Sequence, residues 1–318
     1  MSLPNNFVKF PNNVSVPTDI NIKNEKYTLY KFKFSGLQDF YDFLKSNPSI
    51  NASVWRDTDK IASIEEDYSF AGIPYENAIE KLIEEEDPGY QEYLRIQKAI
   101  KSKEGYTHKY KEIKSIAGGI INPIDYISGS PTIYRASRII KQPKFITIDT
   151  QVAYHCGTSK SQVFNRALII ANLIRALERN GYIVDLNSFM IVENDNEIIE
   201  AIFELKKQNQ KINYQSLYKS LVDVEFFRRL CFRLIEISDV TKCWYSGYGC
   251  PTSELKAKEL LKLKKDDIYF DQPSNMGIYG KSIESDFENV IEILGLQDTI
   301  DVEKEKQVLK NSIKVLRK

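Results

Sequence analysis

The stretch from residue 144 to residue 205 constrains the fold most, because its pattern changes from a strand to a long helix and back to strands. Residues 145–149 alternate apolar and polar side chains, as a half-buried strand does. Residues 161–180 then place apolar side chains at helical spacing, and Gly181 supplies the helix stop. Two further strands, at 182–192 and 197–206, flank a polar turn. This alternation predicts an α/β fold with a mixed sheet flanked by helices.

The chain divides into four predicted regions. Residues 1–25, rich in Asn and Pro, should form an extended arm, residues 26–141 an α+β region, residues 142–300 the α/β domain, and residues 301–318 a charged helix. The α+β region is predicted to contain a strand, three helices and an ordered loop, at 27–34, 37–44, 74–85, 90–116 and 122–131. After the long helix and its strands, the α/β domain should continue with helices and one short strand, at 214–237, 253–264, 268–270 and 282–294.

Charge and composition argue against several classes of protein. The 318 residues contain 44 basic and 44 acidic side chains, so the formal net charge is zero. A nucleic-acid coat or a membrane-surface protein would show a basic excess. The four cysteines match no zinc-site spacing, the chain does not begin with an apolar leader, and no apolar stretch approaches the ~20 residues of a membrane helix. We therefore expect a cytoplasmic protein with reduced thiols, no membrane association and no basic coat for nucleic acid.

The candidate ligand site is a pair of carboxylates, Asp149 and Asp271, each predicted to lie at the end of a strand. Ligands of open α/β sheets bind at the carboxyl ends of the strands. With Ser159 and Thr158 nearby, this pair could hold a polar ligand or a cation such as Mg²⁺, which prefers oxygen ligands. The alternative is that Asp149 only caps a loop by accepting backbone N–H groups.

Other motifs indicate chemistry less directly. His155 and Cys156 are adjacent, so on an extended segment they point to opposite sides and the imidazole is badly placed to activate the thiol. The glycines at 118–119 and 247–249 lack the spacing of phosphate-binding loops. Basic and aromatic residues occur together at 134–141 and 226–233, which suits nucleic-acid binding but equally suits a helix with a buried aromatic side.

The best candidate for binding a partner is the loop that carries Trp244, Tyr245 and Tyr248, because aromatic residues and arginine dominate the energetics of interfaces. Arg228 and Arg229, on the preceding helix, extend this candidate surface. The alternative is that Trp244 and Tyr245 fill the underside of the domain. The two terminal segments could dock on their own domain or on a neighbouring subunit, so a homo-oligomer is a further expectation.

Several separate segments resemble an uncharacterised family of phage and prophage proteins. The resemblance rests on matching residues in the same order and spacing: Ala117-Gly118-Gly119, Pro123, Tyr126, Gly129, Pro131, the helix at 165–181, the segment at 226–230 and Tyr248-Gly249. It implies a viral or prophage source, and with it a location in the cytoplasm of a host cell. It implies no activity.

The order of strand, Asp, long helix, Gly, strand, hairpin and strand resembles the first half of a von Willebrand factor A domain, which has a Rossmann-like fold. Residues 171–182 resemble the version in cobalt-chelatase-type subunits. The metal site of that family uses Asp-x-Ser-x-Ser, and the matching positions here are Asp149, Gln151 and Ala153. Both hydroxyl ligands are replaced, so the resemblance implies a decayed metal site.

These observations predict a non-enzymatic protein-interaction factor, encoded by a phage, that acts on a host or phage protein. A modulator of a host defence system or of a host ATPase is the concrete version. The first alternative is a metal-dependent site at Asp149 and Asp271 that binds a ligand or acts on a phosphoester. The second is a nucleic-acid-binding protein that uses the arginine-rich helix.

Overall fold

The computed structural model describes residues 13–46, 73, 75–84, 87–102, 110–117, 120–139, 144–155, 157–193, 197–208, 210–233 and 252–316. The strands of this part of the chain are β1 (Thr18–Ile22), β2 (Glu25–Phe34), β3 (Tyr110–Ser115), β4 (Ile120–Ile121), β5 (Tyr134–Ile139), β6 (Lys144–Gln151), β7 (Tyr182–Glu193), β8 (Glu197–Lys206) and β9 (Ile268–Phe270). Its α-helices are α1 (Leu37–Ser46), α2 (Tyr75–Lys81), α3 (Pro88–Ser102), α4 (Pro123–Ile127), α5 (Lys160–Arg179), α6 (Tyr214–Leu221), α7 (Glu254–Leu261), α8 (Ile283–Ile293) and α9 (Val302–Leu316), and Phe226–Cys231 form a π-helical segment.

Six strands form the main sheet, in the order β1-β2-β8-β7-β6-β9. Strand β6 pairs in parallel with both β7 and β9, and helix α5 makes the crossover from β6 to β7. Strands β7 and β8 form an antiparallel hairpin, and β2 then pairs in parallel with β8. The predicted fold class is confirmed at this level: a mixed α/β protein with a mixed sheet flanked by helices.

The sheet separates two hydrophobic cores because its strands alternate between faces. In β2, Tyr27 and Leu29 pack into the smaller core, whereas Phe32 and Phe34 pack into the larger one. Helix α5 lies in the larger core, and its long run of buried residues reflects apolar side chains on most of its circumference. Helix α7 contributes to the smaller core on the opposite face.

Three shorter strands form a second, antiparallel sheet in the order β3-β5-β4. Helix α4 follows β4 directly, with Asn122 as its N-cap and Pro123 in its first turn, where proline is well tolerated. Among the side chains described in this small sheet and in α4, none belongs to either core of the main sheet.

Several expectations for the first half of the chain were wrong. The predicted helix at 90–116 ends at Ser102, and residues 110–115 form β3 instead. The predicted loop at 122–131 contains the short helix α4. Within the predicted extended arm at 1–25, which stays a prediction, residues 18–22 form β1, because Lys23 and Asn24 adopt positive φ angles and turn the chain into an antiparallel pair with β2.

The predicted helix at 214–237 was also wrong in part, since α6 ends at Leu221 and a π-helical segment begins at Phe226. The predicted strands of the main sheet and helices α5, α8 and α9 are confirmed to within a few residues. Because β1 and β2 lie in the same sheet as β6 to β9, that sheet crosses the boundary that the sequence suggested at 141/142. No helix in the described ranges is both long enough and apolar enough to cross a membrane.

Candidate functional site

A cluster of polar side chains lies where the parallel strands β6 and β9 end. Asp271 directly follows β9, and its Oδ1 accepts hydrogen bonds from Gln151 Nε2 at 2.9 Å and from the Gln272 backbone N–H at 2.7 Å. The hydroxyl of Tyr269 approaches the same oxygen at 3.4 Å, and Asn275 Nδ2 donates to Oδ2 at 2.7 Å. The structure thus brings Asp271 and Gln151, two residues predicted for the ligand site, into direct contact.

This geometry gives Asp271 a structural role. Protein donors already surround both carboxylate oxygens, and Gln151 directs its amide nitrogen, not its oxygen, toward the carboxylate. A Mg²⁺ ion requires several oxygen ligands in near-octahedral geometry. Across the part of the chain that the structure describes, no group of three His, Cys, Asp or Glu side chains is arranged to hold a metal ion.

Asp149 lies inside β6, two residues before its end, rather than at the end of the strand as predicted. It is only 5% exposed, and Asn187 on β7 donates a hydrogen bond to its Oδ1 at 2.9 Å. Burial raises the pKa of Asp149 to about 6, although the Asn187 hydrogen bond lowers it. Three nearby carboxylates, Asp267, Glu200 and Asp185, raise this pKa further.

The buried guanidinium of Arg166 contacts the backbone at the end of β6. Its Nη1 donates to the backbone carbonyl of Gln151 at 2.8 Å, and its Nη2 donates to that of Leu221 at 3.2 Å. The same group lies over the ring of Tyr154, 5.6 Å from the ring centre. Burial lowers the pKa of Arg166 to about 10, while Tyr154 and Asp271 act in the opposite direction. The amphipathic pattern of α5 did not identify this residue, because an arginine is expected to be exposed to solvent.

The other residues predicted for the site have structural contacts. Ser159 caps α5: its hydroxyl accepts from the Gln162 backbone N–H at 3.3 Å, and Gln162 Oε1 accepts from the Ser159 N–H at 2.8 Å. Arg228 lies over the ring of Tyr154, and Arg229 donates to the carbonyl of Ile73. Trp244, Tyr245 and Tyr248 lie outside the described residues.

A different feature of the surface was missed from the sequence. Around β4 and α4, six large apolar side chains are between 49% and 84% exposed; we call them the isoleucine surface, and they are Ile116, Ile120, Ile121, Ile124, Tyr126 and Ile127. Large exposed apolar patches mark binding sites in soluble proteins, whereas single scattered apolar residues do not, and here six exposed apolar residues fall between positions 116 and 127. The density of isoleucine between 116 and 127 was visible in the sequence, but its exposure was not.

The fold and these sites define a mixed α/β protein with a polar cluster at one sheet edge and an exposed aliphatic surface on a second, small sheet. Residues 15–298 match the family described as "Domain of unknown function (DUF7192)", so the chain belongs to that family. The match confirms the expectation of an uncharacterised family. No curated protein and no solved structure matches the chain.

Proposed function

We propose that this protein is a non-enzymatic interaction factor that binds another protein through the isoleucine surface. The observation that carries the proposal is the exposure of six neighbouring apolar side chains on one small sheet and the helix beside it. Burying a large aliphatic side chain contributes about 1.5–3 kcal/mol. Covering several of them would therefore supply a substantial part of the binding free energy of a stable complex.

The shape of the isoleucine surface favours a protein partner over a flat membrane. Ile120 and Ile121 are consecutive residues of β4, so their side chains project to opposite faces of the small sheet. They are 80% and 49% exposed, so the apolar surface continues around the edge of the sheet. A lipid surface contacts one face of such an edge, whereas a cleft in a protein encloses both.

The charges beside this surface favour an acidic partner. In the register of β3 and β5, Lys111 lies opposite Arg138 and Lys114 lies opposite Arg135. This register brings four basic residues onto two neighbouring strands, and acidic groups on a partner would complement their charge. Lys114 already has one such contact within the chain, an ion pair with Asp125 at 3.0 Å. Nucleic acid would complement the same basic residues, but its phosphates would leave the exposed aliphatic side chains in contact with water.

The finer parts of the proposal rest on the resemblances in the sequence. These are a phage source, a target in a host defence system or a host ATPase, a location in the host cytoplasm, and a von Willebrand A-like or Rossmann-like identity for the main sheet. The loop with Trp244, Tyr245 and Tyr248 would supply a second region of contact, beside Arg228 and Arg229.

The experiment that tests the proposal compares tagged variants expressed in the cells from which the chain comes. Wild-type protein should co-purify with a stoichiometric protein partner after nuclease treatment. Ile124→Asp with Ile127→Asp should reduce the recovered partner more than about tenfold, since each change places a charge in a desolvated contact. Leu255→Asp, at a 67% exposed position on α7, is the matched control and should retain the partner. Equal recovery with all three proteins, or no partner at all, would refute the proposal.

A further inference from the structure

Five charged side chains outside the isoleucine surface form a largely buried cluster, of which Lys81 is the most exposed. Lys219 is only 1% exposed, and its ammonium group lies 3.1 Å from Asp87 Oδ2 and 3.4 Å from Asp223 Oδ2. Lys81 contacts the same two carboxylates, at 3.4 Å and 3.8 Å, and Glu225 at 3.4 Å. The cluster borders a narrow cleft whose remaining lining is apolar.

The cluster connects elements that are distant in the sequence. Lys81 is the last residue of α2, and Asp87 accepts the Tyr90 backbone N–H at the start of α3. Lys219 belongs to α6, and the other two carboxylates lie between α6 and the π-helical segment. Short π-helical segments are rare and are often found at functional sites. Lys81 therefore links the end of α2 to α6 and to the residues before the π-helical segment, beside the contacts that Ala78 and Ile79 of α2 make in the larger core.

The charges of the cluster do not balance when every group is ionised. Three carboxylates face two ammonium groups, and the Tyr218 hydroxyl, which hydrogen-bonds Asp223, is neutral. One negative charge is therefore in excess in a largely buried cluster, where an unpaired charge is costly. One proton removes the excess. Burial raises the pKa of Asp223 to about 6; Lys219 and Lys81 lower it, while Glu225 and Asp87 raise it. In contrast, the pKa of Asp87 is lowered, since the Tyr90 N–H and both ammonium groups outweigh the effect of its burial.

We propose that the five residues form a proton-operated latch: one bound proton fastens α2 to α6 and the π-helical segment, and loss of that proton loosens α2. The sign follows from linkage. The folded pKa of Asp223 lies above its ordinary value of 3.8, so its contribution to stability is complete below about pH 4 and is lost as the pH rises through about 6. The latch is independent of the isoleucine surface and of the proposed function.

Amide hydrogen exchange of α2, followed by mass spectrometry at pH 5 and pH 7.5, tests the latch. Exchange rates are expressed as protection factors relative to an unstructured chain, which removes the direct effect of pH on the rate of amide exchange. Wild-type α2 should be roughly tenfold more protected at pH 5, the difference expected when opening returns this carboxyl to its ordinary pKa. In Asp223→Asn, α2 should be as protected at pH 7.5 as it is at pH 5. Asp149→Asn, which changes a buried carboxyl outside the cluster, should leave the pH dependence of α2 unchanged.

A second variant keeps the test decisive if Asp223→Asn does not fold. Lys81→Met removes one of the two ammonium groups, so the excess negative charge grows and α2 should lose further protection at pH 7.5. Circular dichroism confirms that each variant is folded. Equal protection of wild-type α2 at both pH values, an unaltered pH dependence in Asp223→Asn, or an unaltered pH dependence in Lys81→Met would each overturn the latch.

Discussion

Replacing Asp149 by asparagine should stabilise the protein at neutral pH. The folded structure raises the pKa of this carboxyl from 3.8 to about 6, mainly through burial. At about 1.4 kcal/mol for each pKa unit, the ionised carboxylate costs ~3 kcal/mol at pH 7.5. Asparagine has nearly the same shape, keeps an oxygen to accept the hydrogen bond from Asn187, and carries no charge toward the neighbouring carboxylates.

The size of this gain in stability depends on pH. Because the folded pKa lies above the unfolded value, the carboxyl is protonated in both states below about pH 4, and the substitution then changes little. Urea denaturation at pH 4 and pH 7.5 measures the difference, and the exposed Asp298→Asn is the control, with no gain expected at either pH. An equal gain at both pH values, or a loss of stability at pH 7.5, would refute the reasoning. A loss would instead favour a functional ligand that needs the charge of Asp149.

Two further substitutions test the structural roles that the site assigns. Asp271→Ala leaves the buried Gln151 amide and the buried Gln272 N–H with no carboxylate to accept from them, and it removes the acceptor of the exposed Asn275. The free energy of unfolding should therefore fall by about 2–4 kcal/mol in urea titrations, and a change under about 0.5 kcal/mol would contradict this role. Gly280→Ala requires a side chain at a φ of +73° and places a Cβ 2.5 Å from Ser161 Oγ and 3.1 Å from the Gln162 backbone nitrogen. It should therefore lower the melting temperature more than Gly129→Ala, at a position with a similar φ of +68° and open space around it. Equal losses would show that the contact with the start of α5 is unimportant.

The sequence predicted the part of the fold that depends on local patterns. The strands β6, β7 and β8 and helix α5 follow from residue periodicity and a glycine stop, signals that lie within each element. The small sheet was missed because charged residues after Ser102 continue a helical pattern, whereas the pairing of β3 with β5 joins residues 19 to 29 positions apart. Helix α6 was extended too far because the sequence gives no sign of the change to π-helical geometry at Phe226.

The candidate site was predicted less completely, since its properties come from burial. The sequence placed Asp271 at the end of a strand and the resemblance named Gln151, but the hydrogen bond between them depends on the pairing of β6 with β9. The buried cluster around Lys219 joins residues more than 130 positions apart. The exposure of Ile124 is likewise a tertiary property, because an isoleucine in a sequence is expected to be buried.

The most direct test of the interaction surface is photo-crosslinking inside the cells from which the chain comes. A photoreactive amino acid replaces Ile124 in one variant and Tyr279, an exposed residue of the main domain, in the other. If the isoleucine surface binds a protein, the variant at 124 should form one dominant crosslinked species. Adding Ile127→Asp to that variant should remove the species, and the variant at 279 should form none. Absence of a crosslink at 124, or the same pattern at both positions, would contradict the account.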